Sequence, residues 1–288
     1  MNTRLQELLA NCEEVTDAEE EAFLLFSQDI PTGNLGFLEP RASTVDVTIR
    51  GNEYTVHQSP TLLSSSRAGG TTGAELGCGI SALVALALAP SVNHYLATDQ
   101  EYVRRLFRTN LEENASVISA SSTKGKSAKP RGGKSTKKQS SSQNATSNVT
   151  FTTLDWELDQ PELLKGCIEA GDDDTDAGVE DDKGFDLILS CDCIYNDALV
   201  TPFVRTCAEI CRLRPAYEPS DEPQPPSTRQ PTICIIAQQQ RAPDVFEAWL
   251  RETLREFRVW KLNDDVLGDG LKNGTGYLVH LLLRREKN

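Results

Sequence analysis

Two glycines stand one residue apart in Glu75-Leu76-Gly77-Cys78-Gly79, just ahead of the apolar run ISALVALALAP. Glycine there lets a ligand approach the backbone where a side chain would block it, although the same G-x-G occurs in nucleotide sites of many kinds and in plain turns. About twenty residues on, HYLAT ends in Asp99, placed where a carboxylate at a strand's carboxyl end can accept hydrogen bonds from two ribose hydroxyls. The third glycine of a dinucleotide fingerprint is missing, since Leu83-Val84-Ala85 stands in that region, so a cofactor without phosphates fits better than a nicotinamide dinucleotide. Leu154-Asp155-Trp156 offers a carboxylate for an adenine amino group and an indole to cover the ring; a capping Asp and a core Trp read equally well. In FDLILSCDCIYN, Asp192 and Tyr195 lie three residues apart beyond an apolar strand that ends near Ser190. A carboxylate and a phenol would there face the ligand edge of an α/β sheet, or else form a helix N-cap and a packed ring.

From Glu75 onward, strand-like and helix-like segments alternate, the pattern of a parallel sheet with helices on both faces. Strands are expected at 94–98, 149–154, 185–190, 232–237, 259–262 and 277–283. A charged helix over 101–114 buries Val103, Leu106, Phe107 and Leu111, and two further helices carry Leu199, Phe203, Cys207, Ile210 and Cys211, then Phe246, Trp249, Leu250 and Leu254. Ahead of this domain (74–288), residues 1–73 form an extension in which 44–57 reads as a β-hairpin turning at Gly51-Asn52. Three inserts are expected to be unpacked: 116–148, with seven basic and no acidic residues; 169–182, mostly acidic; and 214–231, rich in proline. The basic insert reads as a linker or as a nuclear-localisation or RNA-touching patch.

The segments ELGCGIS, ATDQEYV, LDW and above all FDLILSCDCIYN resemble the seven-strand methyltransferases of the lysine methyltransferase 21-like group, over roughly residues 44–114 and 148–288. The resemblance implies a doubly wound, Rossmann-like, mostly parallel seven-strand sheet whose last strand is antiparallel, S-adenosyl-L-methionine as cofactor, and a protein lysine as acceptor. Glu75, Gly77 and Gly79 would line the methionine end, Asp99 the ribose, and Asp155 with Trp156 the adenine; Ser190 counts with these cofactor-binding residues. Asp192 and Tyr195 would be catalytic, facing the methyl-transfer channel. The lysine amine, with an unperturbed pKa of about 10.4, must first lose its proton, at about 4 to 5 kcal/mol near pH 7. The chain departs from the family before Glu75, where SSSRAGGTTGA lacks an apolar run. The first, central strand is therefore expected to be truncated, a segment lost and the cofactor pocket open on one side.

A net charge of -14 argues against a general nucleic-acid or membrane-surface binder and favours a basic protein partner, with a ribosomal substrate and a monomeric enzyme as the expectation. With neither a signal peptide nor an apolar stretch of spanning length, the chain is expected in the cytoplasm, the nucleus being the alternative. Eight cysteines lie mostly in apolar runs and read as reduced core thiols; with His57, His94 and His280 as the sole histidines, no metal site is expected. The competing classes are a non-catalytic relative that binds through its charged loops, a small-molecule methyltransferase, and a nicotinamide-dependent oxidoreductase.

Overall fold

The computed structural model describes residues 3–28, 44–49, 51–57, 72–121, 146–167, 184–219 and 230–286. In chain order the elements are α1 (Thr3–Ala10), β1 (Glu13–Val15), α2 (Ala18–Phe26), the hairpin β2 (Thr44–Ile49) and β3 (Asn52–His57), β4 (Thr72–Leu76) and α3 (Leu83–Leu88). There follow β5 (His94–Asp99), α4 (Arg104–Ser121), β6 (Val149–Thr153), β7 (Leu187–Cys191), α5 (Asp197–Cys211) and β8 (Ile233–Gln239). The chain closes with α6 (Pro243–Glu256), β9 (Phe257–Lys261), α7 (Asp264–Leu267) and β10 (Tyr277–Arg284). No described helix is long and apolar enough to cross a membrane.

One sheet runs in the order β1-β9-β10-β8-β7-β4-β5-β6. Neighbours from β6 to β8 pair in parallel, while β10 is antiparallel to both β8 and β9, as expected of the last strand. Alternation along each strand sends successive side chains to opposite faces. Leu96, Ile188, Cys234 and Ile236 pack beneath α2, α5 and α6, whereas Tyr95, Ala97, Leu187 and Leu189 pack beneath α3 and α4. The result is the doubly wound sandwich that the alternation of elements predicts.

The expected truncation of the central strand is not what the structure shows. Thr72–Leu76 forms β4, five residues long like its neighbour β7, and pairs with β5 on one side and β7 on the other. A strand flanked on both edges satisfies its backbone groups without apolar side chains of its own, and Gly73 and Ala74 are small enough to sit between the two helix layers. Ala74 and Leu76 are nonetheless fully buried, supported by Leu96 and Ile188 in the same cluster. Residues 58–71, which precede this strand, lie outside the described residues.

Other differences are local. Ile49 pairs with Asn52, so Asn52 already belongs to the second hairpin strand, and Gly51 takes the left-handed backbone at φ +78°. The hairpin is clamped to α4 by Asn114, whose side chain accepts from Thr55 N (2.9 Å) and donates to Thr55 O (2.8 Å). Helix α4 runs six residues into the insert expected from 116. From the proline-rich insert, Tyr217 packs edge-on to Trp260 at 5.7 Å, because an aromatic ring gains from burial even in a polar stretch. Residues 122–145, 168–183 and 220–229, and with them the expected acidic insert, lie outside the described residues. The extension before the hairpin contributes the edge strand β1, antiparallel to β9, where Glu14 pairs with Arg258.

Candidate active site

The carboxyl ends of β4, β5, β6 and β7 lie side by side, because these four strands are adjacent and parallel. Ligands of open α/β sheets bind at this edge. Seven of the nine residues singled out above stand in the loops it carries or at its strand ends, with Glu75 and Ser190 inside the strands beneath.

Beyond β4 the chain turns through Gly77 (φ +68°) and Gly79 (φ +61°), both in the left-handed region that a side chain disfavours. Asp99, the last residue of β5, closes this turn: its Oδ2 accepts from Gly79 N at 2.8 Å and its Oδ1 from Gln100 N at 2.7 Å. Burial pushes its carboxyl up from the ordinary value, and these two donors oppose the rise. Asp155, just past β6, accepts from Glu157 N (2.9 Å) and from the side-chain amide of Gln100 (3.2 Å), which hold its carboxyl below the usual range. Gln100 therefore joins the Asp99 and Asp155 corners. It follows Asp99 directly in the chain, a placement that the strand-end rule could have flagged.

Trp156 is half-buried and meets Phe203 edge-on at 5.0 Å, so its ring belongs partly to the core under α5. A Cβ on Gly77 would come within 2.4 Å of Cys193 Sγ and 3.4 Å of the Trp156 ring, so these two side chains roof the first glycine. Burial pushes the Cys193 thiol up to about 12, leaving it a neutral, weak donor toward Leu76 O at 3.4 Å. Cys193 was read from sequence only as a core thiol.

Glu75 and Ser190 lie deeper. The Glu75 side chain is 1% exposed; it accepts from Tyr95 Oη at 2.6 Å, and burial raises its carboxyl to about 8. Ser190 Oγ donates to Leu76 O at 2.9 Å and so ties β7 to the end of β4. Ser190 thus acts from inside the sheet on the backbone that leads into the glycine turn, whereas the Glu75 side chain engages Tyr95.

Asp192 adopts a left-handed backbone (φ 57°), which turns the chain sharply off β7. Its N–H donates to Ala237 O (2.7 Å), its Oδ1 accepts from Gln239 N (3.2 Å), and its Oδ2 is ion-paired with Arg241. Arg241, two residues past β8, was not singled out from sequence, though it too stands at the carboxyl edge. Tyr195 is 52% exposed; partial burial raises its phenol, with Cys193, Tyr102 and Asp99 adding to the rise.

No protein-family model matches the chain. Among curated proteins it is similar to the ribosomal lysine N-methyltransferase 5 of Zygosaccharomyces rouxii, 25% identical over 200 residues, 69% of this chain and 55% of the relative. It is likewise similar to the ribosomal lysine N-methyltransferase 5 of Lachancea thermotolerans, 24% identical over 196 residues, 64% of this chain and 48% of the relative. The chain thus spans about half the length of the curated relatives it matches. Among solved structures, a methyltransferase from Pyrococcus furiosus aligns over 99% of this chain and 100% of its own at 14% identity and a TM-score of 0.40. In sequence, then, this doubly wound chain with its antiparallel last strand is similar to the ribosomal lysine N-methyltransferases.

Proposed function

We propose that the chain is an S-adenosylmethionine-dependent protein-lysine N-methyltransferase whose acceptor is a basic protein of the translation apparatus. The observation that carries this reading is the corner in which Asp99 and Asp155, at adjacent parallel strand ends, are joined through Gln100 beside the Gly77–Gly79 turn. Each carboxylate oxygen has a second acceptor position, so Asp99 can take ribose hydroxyls and Asp155 an adenine amino group without giving up its present partners. The similarity to ribosomal lysine N-methyltransferases supports the acceptor class.

The bound cofactor supplies an electrophilic methyl group; the chain supplies placement. The ion pair with Arg241 and the Gln239 amide fix Asp192 at the edge, where its carboxylate can orient an incoming amine. The raised phenol of Tyr195 stays protonated at neutral pH, so its hydroxyl can donate and its ring can face a cation. A lysine in a partly desolvated channel beside positive charge loses its proton more readily than in water, which removes part of the roughly 4 to 5 kcal/mol deprotonation cost.

One feature favours a second reading, a methyltransferase-fold protein that binds but does not catalyse. The side chain of Glu75 is buried on Tyr95 and Gly77 is roofed by Cys193 and Trp156, which narrows the end where the methionine part would lie. Calorimetric titration with S-adenosylhomocysteine separates the two. Micromolar binding that is lost in Asp99→Ala, followed by methyl transfer from labelled S-adenosylmethionine to ribosomal protein, supports the enzyme. A folded chain without binding supports the second reading.

A further inference from the structure

Among the described residues, helix α2 keeps part of its length uncovered. Leu25 is 1% exposed and Phe26 stacks on Phe246 of α6 at 5.6 Å, yet Phe23 is 73% exposed and Leu24 46%. Such exposure of a large aromatic ring is unusual beside a well-packed face. Phe23 borders a groove of about 640 Å³ whose floor includes Ala22, Phe26 and Pro243. Its rim carries Asp17, Glu19, Glu20 and Glu247, and among the described residues no Lys or Arg lines it. Glu247 is paired with Arg251 one helical turn away, and Asp17 caps α2 through the Glu19 and Glu20 amides. Glu19 and Glu20 are exposed and make no ion pair among the described residues.

The groove also adjoins the candidate active site. Gln240 donates from Nε2 to Leu25 O at 2.6 Å, anchoring the end of α2 to the carboxyl end of β8. From Pro243 on the groove floor, the chain leads back in two residues to Arg241 and its partner Asp192. Two residues of extended chain span about 7 Å, and the Arg241 side chain, of about the same length, bridges the rest of the way to Asp192. A segment lying in the groove can therefore present a neighbouring side chain at Asp192.

We propose that this groove docks a basic segment of a protein partner carrying an apolar or aromatic anchor, the anchor packing on Phe23 and its lysines or arginines facing Glu19 and Glu20. Charge complementarity selects this occupant: the rim is acidic, the floor apolar, and the chain's net charge of -14 adds a long-range bias toward cations. The proposal rests on the methyltransferase reading for its purpose, since the docked segment would bring a lysine to Asp192, but the binding itself is independent of catalysis.

The test is fluorescence anisotropy of the full chain with a labelled twelve-residue peptide of lysines interspersed with phenylalanine and leucine, and with a control in which glutamate replaces every lysine. The expected result is that the basic peptide binds and the acidic one does not, and that Glu19→Lys with Glu20→Lys weakens binding about tenfold. Phe23→Ser is expected to weaken it about fivefold, and raising salt to about 0.5 M to weaken it in the parent chain more than in the charge-reversed one. All three changes are at exposed positions and should leave S-adenosylhomocysteine binding intact. Asp99→Ala should abolish cofactor binding while sparing the peptide, so the two readings fail separately. Equal affinity for both peptides, unchanged affinity in the variants, or a self-associated chain that Phe23→Ser converts to monomer would each overturn the proposal.

Discussion

Asp192 leaves β7 in a left-handed conformation and is held there by Arg241 from the next strand's loop, so one ion pair couples the two strand ends that border the candidate methyl-transfer channel. The acid's side chain is 12% exposed and the arginine's 37%, which places the pair between the surface and buried regimes. Arg241→Ala is accordingly expected to destabilise by about 1 to 2 kcal/mol, while Arg241→Lys retains about half of that. At Asp192 itself, Asn tolerates the left-handed backbone better than Ala, so Asp192→Ala should be less stable than Asp192→Asn by about 1 kcal/mol. Chemical denaturation of the four variants checks this, and identical midpoints for Ala and Asn at 192 would remove the backbone argument.

Glu75 provides a pH signature. Its folded pKa of about 8 lies above the ordinary 4.5 because burial disfavours the charge. Between those values the native state holds a proton that the unfolded chain has lost. Stability is full below about 4.5, falls as pH rises toward 8, and is level above, with a limiting slope near 1.4 kcal/mol per pH unit. Glu75→Gln keeps an acceptor for the Tyr95 hydroxyl but cannot ionise. The variant should match the parent near pH 5, exceed its stability above pH 8, and show a flatter profile between; parallel profiles would contradict it.

Much of this architecture is legible in the chain because apolar periodicity and strand-end chemistry are local signals. HYLAT, VTFTTL and FDLILS read as strands, and β5, β6 and β7 form there with bounds shifted by a residue or two, Asp99 ending β5 and Asp155 standing just past β6. The strand TGAEL escapes such a reading because its stability resides in two flanking partners rather than in its own side chains. For the same reason EEV gives no hint of β1: its ladder is completed by β9, far away in sequence, and by Arg258 on Glu14. The pairings at the site share this character. Asp192 with Arg241, or Gly77 under Cys193, join residues dozens to over a hundred positions apart, and single-residue patterns carry no record of them.

His280 is fully buried between the rings of Phe246 and Trp249, and neither ring nitrogen has a hydrogen-bond partner among the described residues. Burial, with Lys261 adding to it, pulls its pKa from 6.5 to about 3. The imidazole is therefore neutral in the fold and charged in the acid-unfolded chain. Stability present above pH 6.5 is lost as pH falls toward 3, the opposite direction to Glu75. His280→Phe removes two unsatisfied polar atoms and keeps a ring, so it should stabilise by about 1 to 2 kcal/mol at pH 7 and by more at pH 5. A loss of stability at both pH values in thermal melts would show that the nitrogens are satisfied in solution.

Gly77 combines two constraints that a double-mutant cycle can separate. Its φ of +68° disfavours any Cβ, and the Cβ would also overlap Cys193 Sγ at 2.4 Å. The backbone contribution is about 1 to 2 kcal/mol and the overlap about 1 to 3. Gly77→Ala should therefore destabilise by roughly 2 to 5 kcal/mol in the parent chain. In a Cys193→Ala background the overlap is gone and only the backbone contribution should persist, so the same substitution should then have less effect, by at least about 1 kcal/mol. S-adenosylhomocysteine binding adds a second readout. If the turn cradles the cofactor, Gly77→Ala weakens binding in both backgrounds, because a side chain disfavours the left-handed turn whatever stands at 193. Binding recovered along with stability in the double variant would instead assign the glycine a packing role and move the cofactor's contact away from it.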